Sequence, residues 1–569
     1  MAPERATVRA TTKSGHVSMP IAIVTAGMGM DPHTRPATAG PASLAALSSS
    51  AFPMFDDMIW GLIVSVVISG EFSGFNSGLA NGFGSMIVAH ILITLMVVVL
   101  AASLVEMATA FPFSSGCAAY TFAAFGGAAA TIIGYLYTIE FITMTAQTLM
   151  SLGQTLTQAF ELPHELEPIW WALAVAFCAA ANLHPRLVAK FNAWMTLLSC
   201  MLLCAVLVVE APSVRFQQAF TTAINSTDAS STNATQLTEP SSLSTAFLPF
   251  QGAGIVRSIP SVLYLYIGFE SLTVFAEETR HIPHSIPRGT TASMFTLVVL
   301  ATATLLITSA AAPGIAVIAG SALPHTTSLL AILNLGPTSI RLLGLVVLPP
   351  IVISLITTIF SSSRYIYALS RGGFLPTNLS LTNRYGGPFV ATIVSSFLSF
   401  GLCFVINYGG LQFQTFFMDL SILSALLAYT FDMLVFVRLR SVMPGLPRPV
   451  TSPFGVAGAV FVMLVSALAV ASLVALDRTF ALIFVVLIGF FVLLVPYYVF
   501  FIRKNLTASP EKEFVKRQMH AKRQEELRAI RYDRWTGFGE SVEPQPLAHL
   551  RLANVSPYGT LWNQRRSGS

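Results

Sequence analysis

Glutamates set in apolar sequence are the residues of this chain best suited to chemistry. Glu71 lies in Val66-Val67-Ile68-Ser69-Gly70-Glu71-Phe72-Ser73-Gly74-Phe75-Asn76-Ser77-Gly78, Glu270 in Tyr264-Leu265-Tyr266-Ile267-Gly268-Phe269-Glu270-Ser271-Leu272-Thr273, and Glu140 in Ile139-Glu140-Phe141. A carboxylate inside a membrane helix is costly without a partner, so by default it marks a place that holds a proton or a cationic group. The adjoining glycines add a second element. A helix that unwinds at Gly70 or Gly268 exposes backbone groups able to bind a polar solute, an arrangement tolerated only where those groups line a cavity. The candidate binding residues are therefore Ser69, Gly70, Glu71, Phe72, Ser73, Gly74, Phe75 and Asn76 on one segment, Ile267, Gly268, Phe269 and Glu270 on the other, and Glu140. Two plainer readings stand beside this one. Gly70, Gly74 and Gly78 recur every four residues, the spacing that lets two membrane helices approach closely. Gly268 can equally mark a local kink whose acid is satisfied by a neighbouring backbone group or hydroxyl.

Positioning such residues takes membrane helices. Of the 569 residues 54% are hydrophobic and 10% charged, with a mean hydropathy of +0.70; this excludes a soluble fold and predicts an all-α polytopic membrane protein. At ~20 residues each, about twelve spans fit between residues 57 and 502. They start near Asp57, Ser85, Ala128, Pro168, Phe191, Ile255, Thr290, Ser339, Pro388, Gln412, Pro453 and Thr479. The two glycine breaks fall in spans one and six, as expected of two five-helix repeats of inverted topology. This divides the chain into an N-terminal tail (1–56), a ten-helix core (57–440) with a long loop at 211–247, two peripheral spans (441–502) and a C-terminal tail (503–569). With a cytosolic N-terminus, Arg186, Lys190, Arg280, Arg288, Arg371, Arg384, Arg440 and Arg448 fall on inner loops, against Arg215, Arg341 and Arg478 outside. The positive-inside rule thus predicts both termini in the cytosol. No cleavable leader is expected before Asp57.

The long loop is rich in Ser and Thr and carries acceptor triplets at Asn225 and Asn233, predicted to be glycosylated; Asn378 and Asn505 fall on the cytosolic side. His90 can titrate near neutral pH and relay a proton. Glu140 shares a face with Thr143 and Gln147, whereas Glu106 and Asp432 lie nearer cytosolic ends, where a structural bond or a gate is expected. Thr357, Thr358, Ser361, Ser362 and Ser363 can offer hydroxyls to sodium, or bond back to the preceding turn; Glu71, His90, Thr357 and Ser361 are the ion-coupling candidates. The cysteines, Cys117, Cys178, Cys200, Cys204 and Cys403, show no metal-ligand spacing and read as small core residues. Nothing calls for a metal, an organic cofactor or a nucleic acid. The basic tail with its interleaved acids is expected to rest on anionic lipid.

Four stretches resemble the amino acid–polyamine–organocation permeases. They are Ser103-Leu104-Val105-Glu106-Met107-Ala108-Thr109-Ala110-Phe111-Pro112 with Tyr120 and Phe125-Gly126; Ile267-Gly268-Phe269-Glu270 with Glu277-Glu278 and Ile286-Pro287-Arg288; Arg364-Tyr365 with Ala368-Leu369-Ser370-Arg371; and Gly372-Gly373-Phe374-Leu375-Pro376 with Gly387-Pro388. Within that family, Ile68-Ser69-Gly70-Glu71 and Gly74-Phe75-Asn76-Ser77-Gly78-Leu79-Ala80 before Gly82-Phe83-Gly84 look like the first helix of ethanolamine permeases, with Phe75 where that motif usually has Trp. The resemblance implies a LeuT-like 5+5 inverted repeat with broken helices 1 and 6 plus two peripheral helices. It also implies a plasma-membrane permease rather than an enzyme, moving a small amine or amino acid by alternating access, coupled to protons or to Na+. Glu71 replaces a Gly-Ser-Gly-like break, and its charge favours an ammonium over a carboxylate. Glu71 or Glu270 would then face the amine, with Phe72, Phe75 and Phe269 as walls. A polyamine or cationic amino acid transporter is the nearest alternative, provided that Glu71, Glu140 and Glu270 converge; a non-transporting nutrient sensor is another. Span five, from about Phe191, contains no lysine, so the fixed cation of some proton-coupled relatives is absent.

Overall fold

The computed structural model describes residues 58–111, 116–221, 251–276, 279, 281–336, 339–476 and 478–503. The predicted glycosylation sites Asn225 and Asn233, the acids Glu277 and Glu278 and both tails lie outside these residues. The described chain is a bundle of helices in the expected order. Span 1 is Ile59–Phe72, continued by a 3-10 turn at Phe75–Asn81; span 2 is Phe83–Ala110, span 3 Gly127–Phe160, span 4 Glu167–Asn182 and span 5 Pro185–Glu210. Span 6 is Gln251–Tyr264 with Phe269–Ser271 and Leu272–Phe275 beyond its break, and span 7 is Ile282–Ala303 with a π turn at Thr304–Thr308. Spans 8 to 12 are Ile340–Arg371, Phe389–Gly409, Leu411–Val442, Gly455–Leu476 and Arg478–Tyr497.

Among the described residues nine helices are long and apolar enough to cross a membrane, or up to 11 if each bent pair is one span. Span 4 is the shortfall from twelve: its 16 residues reach ~24 Å, less than the ~30 Å hydrocarbon core. Aromatic and aliphatic side chains such as Trp194, Phe295, Phe397, Leu464 and Leu493 point outward, exposed, because here the solvent is lipid.

Both breaks occur where the sequence places glycine. Span 1 bends by 48° and span 6 by 44°. Gly74 (φ 92°) and Gly268 (φ 104°) take left-handed conformations that cost a residue with a Cβ about 1–2 kcal/mol. The two broken spans cross each other antiparallel. A Cβ on Gly268 would meet Val66, one on Gly70 the carbonyl of Tyr264, and one on Gly78 the side chain of Ser261; partner numbers fall as span 1 rises. Spans 3 and 8 run antiparallel in the same way, with Gly134 against Leu369, Tyr137 stacked on Tyr365 and Ala159 against Gly344. Antiparallel pairing of spans one and six and of spans three and eight is what two repeats of inverted topology require. The glycine series of span 1 therefore also does the packing that its spacing allows: Gly70 meets the Tyr264 carbonyl, and Gly74 and Gly78 leave room for the side chains of Tyr264 and Ser261.

One polar cluster ties the bundle at the far end of span 2. Glu106, buried, accepts from Arg440 at 3.0 Å (Nε) and 2.5 Å (Nη2), pairs with Arg448 at 3.2 Å and accepts from the Ser452 amide at 2.7 Å. It joins span 2 to span 10 and to the segment leading into span 11.

Candidate substrate site

Where the breaks cross lies a small cavity, partly open to solvent. Span 1 contributes Val66, Val67, Ser69 and Gly70; span 3 Met144, Gln147 and Thr148; span 6 Tyr264 and Ile267; and span 10 Met418 and Ser421. None of these side chains is charged. Of the residues that sequence singled out, Ser69, Gly70 and Ile267 line the cavity directly. Gly268 stands at its rear, against Val66. Sequence reasoning placed Gln147 on the face of Glu140 but missed Tyr264, Thr148 and the whole contribution of span 10, because span 10 has no break or acid at Met418–Ser421 to signal it.

Two polar groups of the wall are available. Gly268 N–H bonds the Glu270 carboxylate at 3.0 Å and 3.1 Å, so it does not close the helical bond to Tyr264, four residues back. The Tyr264 carbonyl, released from the ladder, faces Gly70. Ser421 Oγ is buried with no hydrogen-bond partner. Three other polar side chains of the wall are engaged: Ser69 donates to Ser354 at 2.9 Å, Thr148 to the Met144 carbonyl at 2.9 Å, and the Gln147 amide to the Gln414 carbonyl at 2.9 Å.

The three glutamates do not converge on this cavity. Glu270, expected to face an amine, turns into its own break and also accepts from the Tyr429 hydroxyl at 2.8 Å. Glu140 sits beside Glu270 with both carboxyl oxygens unbonded. Asp432 lies behind them, bonded by Tyr137 Oη and, at 3.2 Å, by Cys117 Sγ. Glu71 is on the other side of span 1, beside Thr304 of the span 7 π turn, fully buried and with neither carboxyl oxygen bonded. The convergence of Glu71, Glu140 and Glu270 that a polyamine site needs is thus absent: Glu140 and Glu270 meet, with Asp432 as their third member.

The other expected contacts also find partners away from the cavity. Phe72 and Phe75 are buried against the ring of His325, at 5.7 Å and 6.2 Å between centroids, and Phe269 packs on Tyr429 at 6.0 Å. Asn76 Nδ2 reaches the carbonyls of Ile318 at 2.7 Å, Ala319 at 3.2 Å and Ser321 at 2.8 Å. Ser73 Oγ returns to the Ser69 carbonyl at 3.5 Å, and Gly74 carries the turn. His90 Nε2 lies 3.0 Å from Thr302 Oγ1. Thr357 donates to the Ile353 carbonyl at 2.8 Å, lies 2.9 Å from Ser65 Oγ and accepts from Asn192 Nδ2 at 3.0 Å. Thr358, Ser362 and Ser363 bond back to the preceding turn, while Ser361 Oγ is buried and unbonded.

Comparison with known proteins gives this geometry a lineage. An uncharacterized transporter of Rhizobium meliloti (strain 1021) is 30% identical over 205 residues, 35% of this chain and 41% of that protein. The gamma-aminobutyric acid permease of Escherichia coli (strain K12) is 22% identical over 369 residues, 63% of this chain and 74% of the permease. A branched-chain amino acid permease of Lactococcus lactis subsp. cremoris (strain MG1363) is 28% identical over 184 residues, 30% of this chain and 38% of its own. The matched stretch thus spans less than half of the Rhizobium and Lactococcus proteins. The family model described as amino acid permease matches residues 57–505, from the start of span 1 to just beyond span 12, and the chain belongs to that family.

Proposed function

We propose that this protein is a secondary transporter that carries a small amino acid across the plasma membrane by alternating access. Both termini would be cytosolic, the transport core would be 57–440, and 441–502 would be peripheral. The observation that carries the reading is the uncharged cavity at the crossing of two broken helices, with one released carbonyl and one unbonded hydroxyl in its wall. The Tyr264 carbonyl offers an acceptor to the ammonium, and Ser421 Oγ a donor to the carboxylate. A site without net charge suits a solute whose own charges cancel, since an unpaired ionic group in a low-dielectric site is strongly penalised. The relatives' named solutes, gamma-aminobutyric and branched-chain amino acids, set the first probes.

Ethanolamine is the second reading, favoured by the first-helix motif around Glu71. It needs the acceptor but no carboxylate partner. Coupling is proposed to be to protons, with Na+ as the alternative. Glycans on Asn225 and Asn233 would mark the outer loop.

The test is uptake of labelled γ-aminobutyrate, leucine and ethanolamine by the full chain in proteoliposomes, with and without an inward proton gradient. Amino acid uptake that the gradient drives, with KM raised at least ~10-fold in Ser421→Ala, matches the loss of a hydrogen bond to a charged group. Ethanolamine uptake that Ser421→Ala does not alter, with no amino acid flux, would replace the first reading by the second.

A further inference from the structure

The short helix Pro324–Ile332, between spans 7 and 8, carries a histidine that the site described above does not use. His325 is 2% exposed, and both ring nitrogens meet oxygen. Nε2 lies 3.0 Å from the main-chain carbonyl of Glu71, in the broken region of span 1. Nδ1 lies 3.1 Å from Oε1 of Glu210, the fully buried last residue of span 5. Thr308, the end of the span 7 π turn, donates to the other carboxyl oxygen of Glu210 at 2.7 Å and stands 3.3 Å from Nδ1.

Counting protons in this group leaves few choices. A carbonyl only accepts, so Nε2 carries hydrogen. Thr308 has one hydroxyl proton, and the shorter contact commits it to Glu210. If His325 were neutral and Glu210 ionised, the Nδ1 lone pair would then face a carboxylate oxygen at hydrogen-bond distance with nothing between them, a buried repulsion. One further proton removes it, whether as imidazolium against carboxylate or as neutral imidazole accepting from a carboxylic acid; the total is the same.

We propose that Glu210 and His325 together form a proton-binding site that locks the hairpin of residues 315–332 over the break in span 1. The rest of that contact is polar and aromatic but does not titrate. Asn76 reaches three hairpin carbonyls, and Phe72 and Phe75 flank the imidazole. Ionisable groups near the pair come from span 1 (Glu71, its carboxyl beside Thr304), span 5 (Glu210, with Cys200 toward Glu71) and span 6 (Tyr266 toward Glu71). Span 7 brings only the hydroxyls of Thr304 and Thr308, and no described Lys or Arg pairs with Glu210. The proposal rests on the transport reading only for its purpose: a proton taken from the outer side would enable the hairpin to close behind the solute.

The experiment is hydrogen exchange of residues 315–332 in the wild-type full chain in nanodiscs, between about pH 5 and pH 8, corrected for intrinsic exchange. One linked proton makes the opening constant of these amides rise by up to about tenfold per pH unit between the pH at which the open pair releases its proton and the higher pH at which the closed pair does, the centre of that rise being its midpoint, while the helix Cys117–Phe125 shows no such slope. Glu210→Gln and His325→Gln each flatten the slope. Thr308→Val, which spares both ionisable groups, keeps the slope and moves its midpoint, and this decides the matter if the first two variants do not fold. A flat wild-type profile, a slope surviving in both Gln variants, or an unmoved midpoint in Thr308→Val would each overturn the proposal. A wild-type protein that shows the slope but carries no amine or amino acid would sink the transport reading and leave the proton site standing.

Discussion

Replacing Gly70 by alanine tests whether the two broken helices must touch for the protein to work. A Cβ built there lies 2.6 Å from the Tyr264 carbonyl oxygen, where ordinary contact begins near 3.4 Å, so about 0.8 Å must be found. The obstacle is backbone, and no side-chain rotamer relieves it. Forcing a methyl into such a contact costs ~1–3 kcal/mol, against which alanine's better helix propensity returns less than ~1 kcal/mol. The net, ~1–2 kcal/mol, corresponds to ~5–30-fold in an equilibrium or rate. Because Gly70 and Tyr264 both line the cavity, the loss should fall on solute exchange as well as on stability. Gly401 is the matched control, a glycine of span 9 with no atom within 4 Å of its would-be Cβ. The assay is exchange of labelled amino acid in proteoliposomes, with thermal stability measured on the same preparations. Gly401→Ala should match wild type or gain slightly in stability. Gly70→Ala exchanging within twofold of Gly401→Ala would refute the argument that close contact of spans 1 and 6 builds the site.

Glu270→Ala withdraws the acceptor of two buried donors, Gly268 N–H and Tyr429 O–H, and should lower stability by ~1–3 kcal/mol, read as a lower midpoint of thermal unfolding; an unchanged midpoint would deny Glu270 its role at the break. Glu106→Ala strands Arg440 and Arg448 and withdraws the acceptor of the Ser452 amide, an expected loss of ~3–5 kcal/mol, whereas Glu106→Gln retains an acceptor and should lose less; a Glu106→Gln variant as stable as wild type would count against the ion pairs. Asn225→Gln with Asn233→Gln should abolish an endoglycosidase-sensitive gel shift in protein expressed in a glycosylating host, and a shift that persists would place the sugar, or the loop, elsewhere.

The breaks were legible in the sequence because glycine leaves a local signature: Gly74 and Gly268 take backbone angles that other residues resist, and apolar residues on both sides make an interruption visible. The order of spans was legible for the same reason, hydrophobic length being a property of each segment alone. What the acids do was not, since the direction of a side chain on a broken helix is set by which helices pack behind it. Glu270 is two residues beyond Gly268, close enough to cap the amide that its own break releases, and Glu71 follows Gly70 by one position, which at ~100° per residue turns it well away from the face that glycine presents. Ser421 and Tyr264 stayed hidden because a serine or a tyrosine in a membrane helix carries no spacing signal, and only tertiary packing leaves one hydroxyl without a partner.

The placement of charge in this fold follows from the cost of burying it. A carboxylate in the cavity wall would sit in low dielectric during every cycle stage in which no cation is bound, and would hold a bound ammonium tightly enough to slow its release. Here the cavity wall is neutral and the acids stand behind it, each on a face where protein groups surround it. Glu270 accepts hydrogen bonds from the Gly268 amide at the break of span 6 and from Tyr429, so it has protein partners without solute. Glu210 is satisfied only with a proton and a histidine beside it, and that histidine rests on the carbonyl of Glu71, one residue from Gly70 in the cavity wall. Solute and proton would therefore act on the same unwound stretch of span 1 from opposite faces, close enough to be coupled mechanically and far enough apart that neither charge has to be paid for by the other.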